Sequence, residues 1–227
     1  MLWIKTFIGV LFQALLLATL VYLPAWTLYW TDALIWAVTY YSIVSVGCIY
    51  LLLTKPASIE ARLNFPSENQ PQEDKLATTL MFMALGIGLI SCPLDVFHLQ
   101  LTPIFTGVLK ISGLLILIIG LFFITASMDA NEFAETTVNI QEERGQRVID
   151  SGVYSLVRHP MYTGFLLFLV GTNLWLGTYL SLILSILSIA IALKFRITIE
   201  EKTLINELEG YKEYSERVKT RIIPFIL

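Results

Sequence analysis

Arg158-His159-Pro160-Met161-Tyr162-Thr163-Gly164 stands at the mouth of an apolar run from Phe165 to Leu193, and a second polar cluster, Arg196-Ile197-Thr198-Ile199-Glu200-Glu201, follows that run. With a turn placed in Gly171 to Gly177, the run divides into two short spans, Pro160 to Trp175 and Tyr179 to Phe195. Such a tight helical hairpin crosses the bilayer out and back. It returns the two polar clusters to the same membrane face.

Working outward, the rest of the chain is equally lipid-compatible. Hydrophobic residues make up 56% of the sequence and charged residues only 15%, against roughly 25% charged in soluble domains. The mean hydropathy is +0.72. This balance predicts an integral membrane protein and leaves no nucleic-acid reading. The net charge of −3 is too small to indicate partners. Cys48 and Cys92 lie in or beside apolar runs without Cys-x-x-Cys or Cys/His spacing, so they read as packing residues, neither a disulfide nor a metal site.

Runs of about 20 apolar residues recur from Trp3 to Leu23, Trp26 to Leu53, Leu76 to Val96 and Ile104 to Met128, with Pro24 and Pro103 at their boundaries. The first run is long and lacks a small-x-small cleavage site, so it reads as a membrane helix rather than a signal peptide. The polar stretch Thr54 to Lys75 reads as a loop with a short helix around Ser58 to Leu63. The expected fold is therefore all-α, a polytopic membrane protein of about six transmembrane helices, divided into a membrane region (residues 1–128) and a C-terminal catalytic region (residues 129–227). From Arg196 to Arg221, apolar residues alternate with charges in a pattern that suits an amphipathic cytoplasmic helix continuing out of the sixth span. Gly210 marks a bend in it and Pro224 its end.

Lys5, Lys55, Arg62, Lys75, Arg144, Arg147, Arg158 and every basic residue from Lys194 onward fall in segments on one side of this arrangement. The alternate connections hold no Lys or Arg. By the positive-inside rule both termini and the polar clusters face the cytoplasm, in the cytoplasmic membrane. Lys110 lies near a span end, where snorkelling or a helix partner accommodates it.

Pro160 pre-sets a helix start and leaves Arg158 and His159 at the membrane surface. Arg196 and Glu200, at i and i+4, share a helix face, while Glu201 is turned by about 100° toward a different neighbour. A carboxylate there can bind an ammonium or ribose hydroxyls, and a guanidinium can clamp a carboxylate. These parts suit a charged soluble cofactor meeting a lipophilic acid. Each also has a plain structural reading: a surface ion pair for Arg196 and Glu200, a capping residue for His159, and a helix resting on headgroups for the C-terminal segment.

The stretch from Asp150 through Gly152, Tyr154, Arg158-His159-Pro160, Tyr162 and Gly164, followed by Arg196-x-x-x-Glu200-Glu201-x-x-Leu204, Gly210-Tyr211-x-x-Tyr214 and Arg221-x-Ile223-Pro224, resembles the isoprenylcysteine carboxyl methyltransferase family. The resemblance covers roughly Asn131 to the C-terminus. It implies an S-adenosylmethionine-dependent methyltransferase whose lipophilic substrate enters from the bilayer. It further implies that Gly152, Tyr154, Arg158, His159, Tyr162, Glu200 and Glu201 form or support the cofactor site and that Arg196 holds the acceptor carboxylate. His159 and Glu200 join Arg196 as catalytic candidates. Methyl transfer from a sulfonium to a carboxylate requires no metal and no covalent intermediate, whereas an amine or thiol acceptor would need a base such as His159. The acceptor stays open among an isoprenylcysteine carboxylate, phospholipid amines and small lipophilic thiols or acids. An NADPH-dependent membrane reductase and a non-enzymatic scaffold are the readings from other classes.

Overall fold

A computed structural model of the chain describes residues 1–63, 71–134 and 140–223. Among these residues the architecture is helical: α1 (Leu2–Ala25), α2 (Thr31–Thr54), α3 (Pro56–Leu63), α4 (Gln72–Pro93), α5 (Gly107–Ala130), α6 (Pro160–Leu176), α7 (Tyr179–Glu207) and α8 (Tyr211–Arg217). Five of these, α1, α2, α4 with its π-helical extension Leu94–Leu99, α5 and α7, are long and apolar enough to cross a membrane. A 24-residue helix such as α1 is about 36 Å long, more than the roughly 30 Å of hydrocarbon it must span. The sixth, α6, has 17 residues, at the lower end of the spanning range. The outward faces of α1, α2 and α5 carry Phe7, Phe12, Leu34, Val38, Ile111 and Phe122, all exposed, as lipid-facing helices require.

The hairpin that the sequence outlines is present, but its turn is shorter than expected. Helix α6 continues through Gly171 to Leu176, and only Gly177 and Thr178 separate it from α7. Gly171 is used for close packing instead of chain reversal. Gly113 and Gly120 of α5 face Gly171 and Gly164 of α6, two glycines seven residues apart on each helix. A Cβ added to Gly113 would stand 2.8 Å from the Gly171 carbonyl oxygen, and one on Gly120 would stand 2.9 Å from that of Gly164. Small residues let helix backbones approach within the bilayer, where dispersion and polar contacts drive association.

Polar side chains fasten the remaining contacts. The Asn173 amide donates to the Gly88 carbonyl at 3.2 Å and to Ser185 Oγ at 2.7 Å, while Cys92 Sγ donates to Asn173 Oδ1 at 3.1 Å. Trp36 Nε1 donates to Thr172 Oγ1 at 3.0 Å. These bonds tie α2, α4 and α7 to α6. Both cysteines are free thiols, Cys92 buried and Cys48 half-buried. At the end of the bundle opposite the site described below, Lys110 Nζ pairs with Asp32 at 2.6 Å and lies over the Trp175 ring.

The C-terminal segment departs from one amphipathic helix. Helix α7, 29 residues in all, continues past Arg196 to Glu207, and the chain then turns at Gly210, whose φ is +81°, before α8. Helix α8 ends at Arg217, earlier than expected. The following residues instead lie along the entry to α6: Arg158 N–H donates to the Thr220 carbonyl and His159 N–H to that of Arg221, each at 2.9 Å. The His159 bond satisfies a donor that the start of α6 leaves open. Pro224 lies outside the described residues.

Candidate functional site

The α6 start, the end of α7, α8 and the loop before α6 converge on a cavity of about 400 Å³ at the end of the bundle that also holds α3 and the start of α4. That volume falls within the range of small-molecule sites. Tyr154, Arg158, His159, Tyr162, Arg196 and Glu200 line it. The two clusters separated by the hairpin therefore meet, as an i to i+4 helix pair opposite a helix entry can.

Pro160 begins α6, with His159 as its flanking residue. Tyr162, on the first turn, stacks its ring on that of His159 with centroids 5.4 Å apart. The Tyr162 hydroxyl donates to Glu200 and accepts from Arg196 Nε at 3.0 Å. Arg196 is buried and ion-paired with Asp74 of α4, and its Nη1 also donates to Thr78 Oγ1 at 3.1 Å. Glu200 is the more open of the two glutamates, with 26% of its side chain exposed.

Glu201 points elsewhere and does not line the cavity. Arg158 reaches one of its oxygens through Nε and Nη2, each at 2.7 Å, and His159 Nε2 lies 3.2 Å from the same oxygen. Arg221 Nε donates to the other oxygen at 3.0 Å. The Arg158 Nη1 meanwhile donates to the carbonyls of Val218 at 2.6 Å and Lys219 at 2.9 Å. Glu201 and Arg158 thus form a buried knot that fixes the C-terminal segment behind the His159 ring.

The loop before α6 forms another wall. Gly152 starts a short 3₁₀ turn with φ +59° but does not reach the cavity. Tyr154 does; its hydroxyl accepts from Asn131 Nδ2 at 3.3 Å, and its carbonyl accepts from the Tyr214 hydroxyl at 2.7 Å. Burial pushes the Tyr154 phenol up to about 12, partly opposed by the Asn131 hydrogen bond and the Arg62 charge. Burial likewise raises Tyr214 and Tyr211. The Tyr211 hydroxyl is buried against the cavity without a hydrogen-bond partner among the described residues.

Several lining groups lie outside the residues picked from sequence. Arg62 of α3 and Thr78 of α4 contribute polar atoms, while Met81, Phe82 and Leu85 of α4 and Phe165 of α6 give an apolar side. Gln13 also borders the cavity from within α1. A glutamine inside an apolar span was a readable signal; Asp74 and Thr78, at the start of a span beside a polar loop, gave none.

A family model described as phospholipid methyltransferase matches residues 108–209. The chain is 32% identical over 150 residues to the protein-S-isoprenylcysteine O-methyltransferase of Saccharomyces cerevisiae, covering 63% of this chain and 62% of that protein. It is 27% identical over 155 residues to the protein of the same name from Schizosaccharomyces pombe, covering 62% and 66% respectively. Protein-S-isoprenylcysteine O-methyltransferase B of Arabidopsis thaliana matches at 32% over 117 residues, covering 50% of this chain and 58% of that protein. The chain thus spans less than two thirds of the length of each of these curated relatives. By sequence the chain is similar to protein-S-isoprenylcysteine O-methyltransferases over about three fifths of its length, and its residues 108–209 match the phospholipid methyltransferase model.

Proposed function

We propose that this membrane protein is a carboxyl O-methyltransferase that takes its methyl group from S-adenosylmethionine and delivers it to a lipophilic carboxylate of the isoprenylcysteine kind. The observation that carries this reading is a single cavity with a polar wall of His159, Tyr162, Arg196 and Glu200 and an apolar wall of Met81, Phe82, Leu85 and Phe165. One wall suits a charged water-soluble donor and the other a lipid chain. The relatives' names supply the reaction type.

The residues present fit such a donor. Glu200 offers a part-exposed carboxylate to an ammonium or to ribose hydroxyls, and the Tyr211 hydroxyl, without a partner among the described residues, is a buried polar atom that a ligand would satisfy. When bound, S-adenosylmethionine supplies a methyl group already activated by its sulfonium. The protein's task is then alignment and exclusion of water. Tyr162 holds Glu200 in place, and Asp74 and Thr78 hold Arg196 so that its guanidinium fork keeps one orientation for an acceptor carboxylate. An ionised carboxylate needs no base, so His159 acts as a wall and as a support for Tyr162. In this reading residues 129–227 form the catalytic region, to which α4 lends Asp74 and Thr78.

The polar end faces the cytoplasm, where the donor is dissolved, because Lys5, Lys55, Arg62, Lys75, Arg144 and Arg147 belong to that end of the bundle. A phospholipid amine is the second reading, favoured by the description of the matching family model; it would require His159 or Glu200 as base. Calorimetry of S-adenosylmethionine binding to the purified protein, together with isotopically labelled methyl donor fed to cells with and without it, tests both. Donor binding with label in base-labile methyl esters supports the carboxylate reading; label in phospholipid headgroups supports the amine, and no donor binding removes both.

A further inference from the structure

We infer that the Tyr211 hydroxyl hydrogen-bonds the nucleoside part of the methyl donor, making Tyr211 a binding residue for the base or ribose rather than a packing residue. The inference rests on the methyl-donor reading above and assigns a side chain to one portion of that ligand.

Gly210 adopts a left-handed conformation at the start of α8 and turns Tyr211 back beneath α7, where its N–H donates to the Leu208 carbonyl at 3.2 Å. The residue is 5% exposed, and its ring packs edge-on against that of Tyr214 with centroids 5.6 Å apart. Val148, Leu204 and Leu208 complete an apolar lobe of the cavity around it. Buried phenols normally find a partner. Tyr214, packed beside it, has one in the Tyr154 carbonyl; Tyr211 has none among the described residues.

An orphaned buried hydroxyl costs the empty protein stability, and the cost is recovered when a ligand satisfies it. The lobe selects which part of the donor does so. An ammonium or carboxylate would lose its hydration among Val148, Leu204 and Leu208, which is unfavourable, whereas a flat, neutral heterocycle with its ribose gains by burial there. Burial also keeps the phenol protonated through neutral pH, so it serves as a donor to a ring nitrogen or as donor or acceptor to a ribose hydroxyl. The charged tail of the donor is left to the wall formed by Glu200, Tyr162 and Arg196.

The test uses this 227-residue chain in detergent, with S-adenosylhomocysteine as the calorimetric probe for unaltered chain and Tyr211→Phe. The expected result is a loss of about tenfold in affinity in the variant. The ligand-free variant should melt at the same temperature or higher, because the orphaned hydroxyl is gone. Deoxyribose and deaza-base analogues separate the two parts of the nucleoside: the inference holds if the affinity lost by one analogue in the unaltered protein is no longer lost in Tyr211→Phe. Equal affinity of both proteins for S-adenosylhomocysteine, no such coupling with any analogue, or a lowered melting temperature of the ligand-free variant would each overturn it. If the unaltered chain fails to bind S-adenosylhomocysteine at all, the methyl-donor reading falls first and this inference with it.

Discussion

Asp74, on the first turn of α4, and Arg196, in the second half of α7, form a buried ion pair with side-chain exposures of 1% and 6%. The pair joins the N-terminal membrane helices to the segment that carries Glu200. Removing Asp74 takes a charged hydrogen-bond partner from the buried Arg196, which keeps Tyr162, Thr78 and, at 4.0 Å, Glu200 beside it, at a cost of about 1.5–3 kcal/mol. Asp74→Ala should therefore lower the melting temperature sharply, read by thermal unfolding in detergent. Replacing both residues by Leu and Met should recover stability without recovering methyl transfer. Recovery of both by the apolar pair would assign Arg196 a purely structural role.

The adjacent glutamates should separate in their effects. Glu201 is 7% exposed and is held by Arg158, His159 and Arg221, so Glu201→Gln should loosen the C-terminal segment and lower thermal stability together with donor affinity. Glu200 is partly open and bonded to Tyr162, so Glu200→Gln should lower donor affinity by tenfold or more, on the order of a lost charge-assisted hydrogen bond, at nearly unchanged melting temperature. Melting and calorimetry on both variants check this, and identical behaviour of the two would contradict the division of roles.

Close packing of α5 on α6 makes a third prediction. A Cβ at Gly120 would meet the Phe168 backbone nitrogen at 2.7 Å, whereas one at Gly86 meets nothing within 4 Å among the described residues. Gly120→Ala should destabilise by about 1–3 kcal/mol through forced backbone separation. Gly86→Ala, in an open stretch of α4, should be neutral or stabilising by up to about 1 kcal/mol through helix propensity. Thermal melts of the two variants provide the comparison.

The buried phenols set a limit at alkaline pH. Tyr154 rises to about 12, and burial also raises Tyr211 and Tyr214, whereas an unfolded phenol titrates near about 10. Because the folded values lie above the unfolded one, their contribution to stability is complete below about pH 10 and is lost as pH rises through the folded values. Melting temperatures should accordingly decline between about pH 10 and 12, and Tyr214→Phe should reduce the slope of that decline. A slope unchanged by the substitution would remove Tyr214 as a contributor.

The hairpin and the meeting of its flanking clusters were legible because they follow from span length and helical spacing alone. The division between Glu200 and Glu201 was legible for the same reason: adjacent positions on a helix point apart. Asp74 was not, since an acidic residue between a polar loop and a span looks solvated until the fold brings α7 alongside. The Gly113, Gly120, Gly164 and Gly171 stripe was hidden because Gly171 read as part of a turn and a glycine inside an apolar run does not show which helix it faces. Only the partner helix reveals a packing seam. The break at Gly210 was visible as a weak point, but the return of Val218 to Ile222 along the α6 entry depends on backbone bonds between distant segments, which no local pattern encodes.

The most direct test supplies the purified protein in lipid nanodiscs with labelled S-adenosylmethionine and a farnesylated N-acetylcysteine, with Glu200→Gln measured alongside. The account predicts a base-labile labelled methyl ester on the acceptor and at least a tenfold fall in its formation with Glu200→Gln at subsaturating donor, on the order of one lost charge-assisted hydrogen bond. Donor binding without any methyl ester on this or other lipophilic carboxylates, or ester formation indifferent to Glu200, would contradict it.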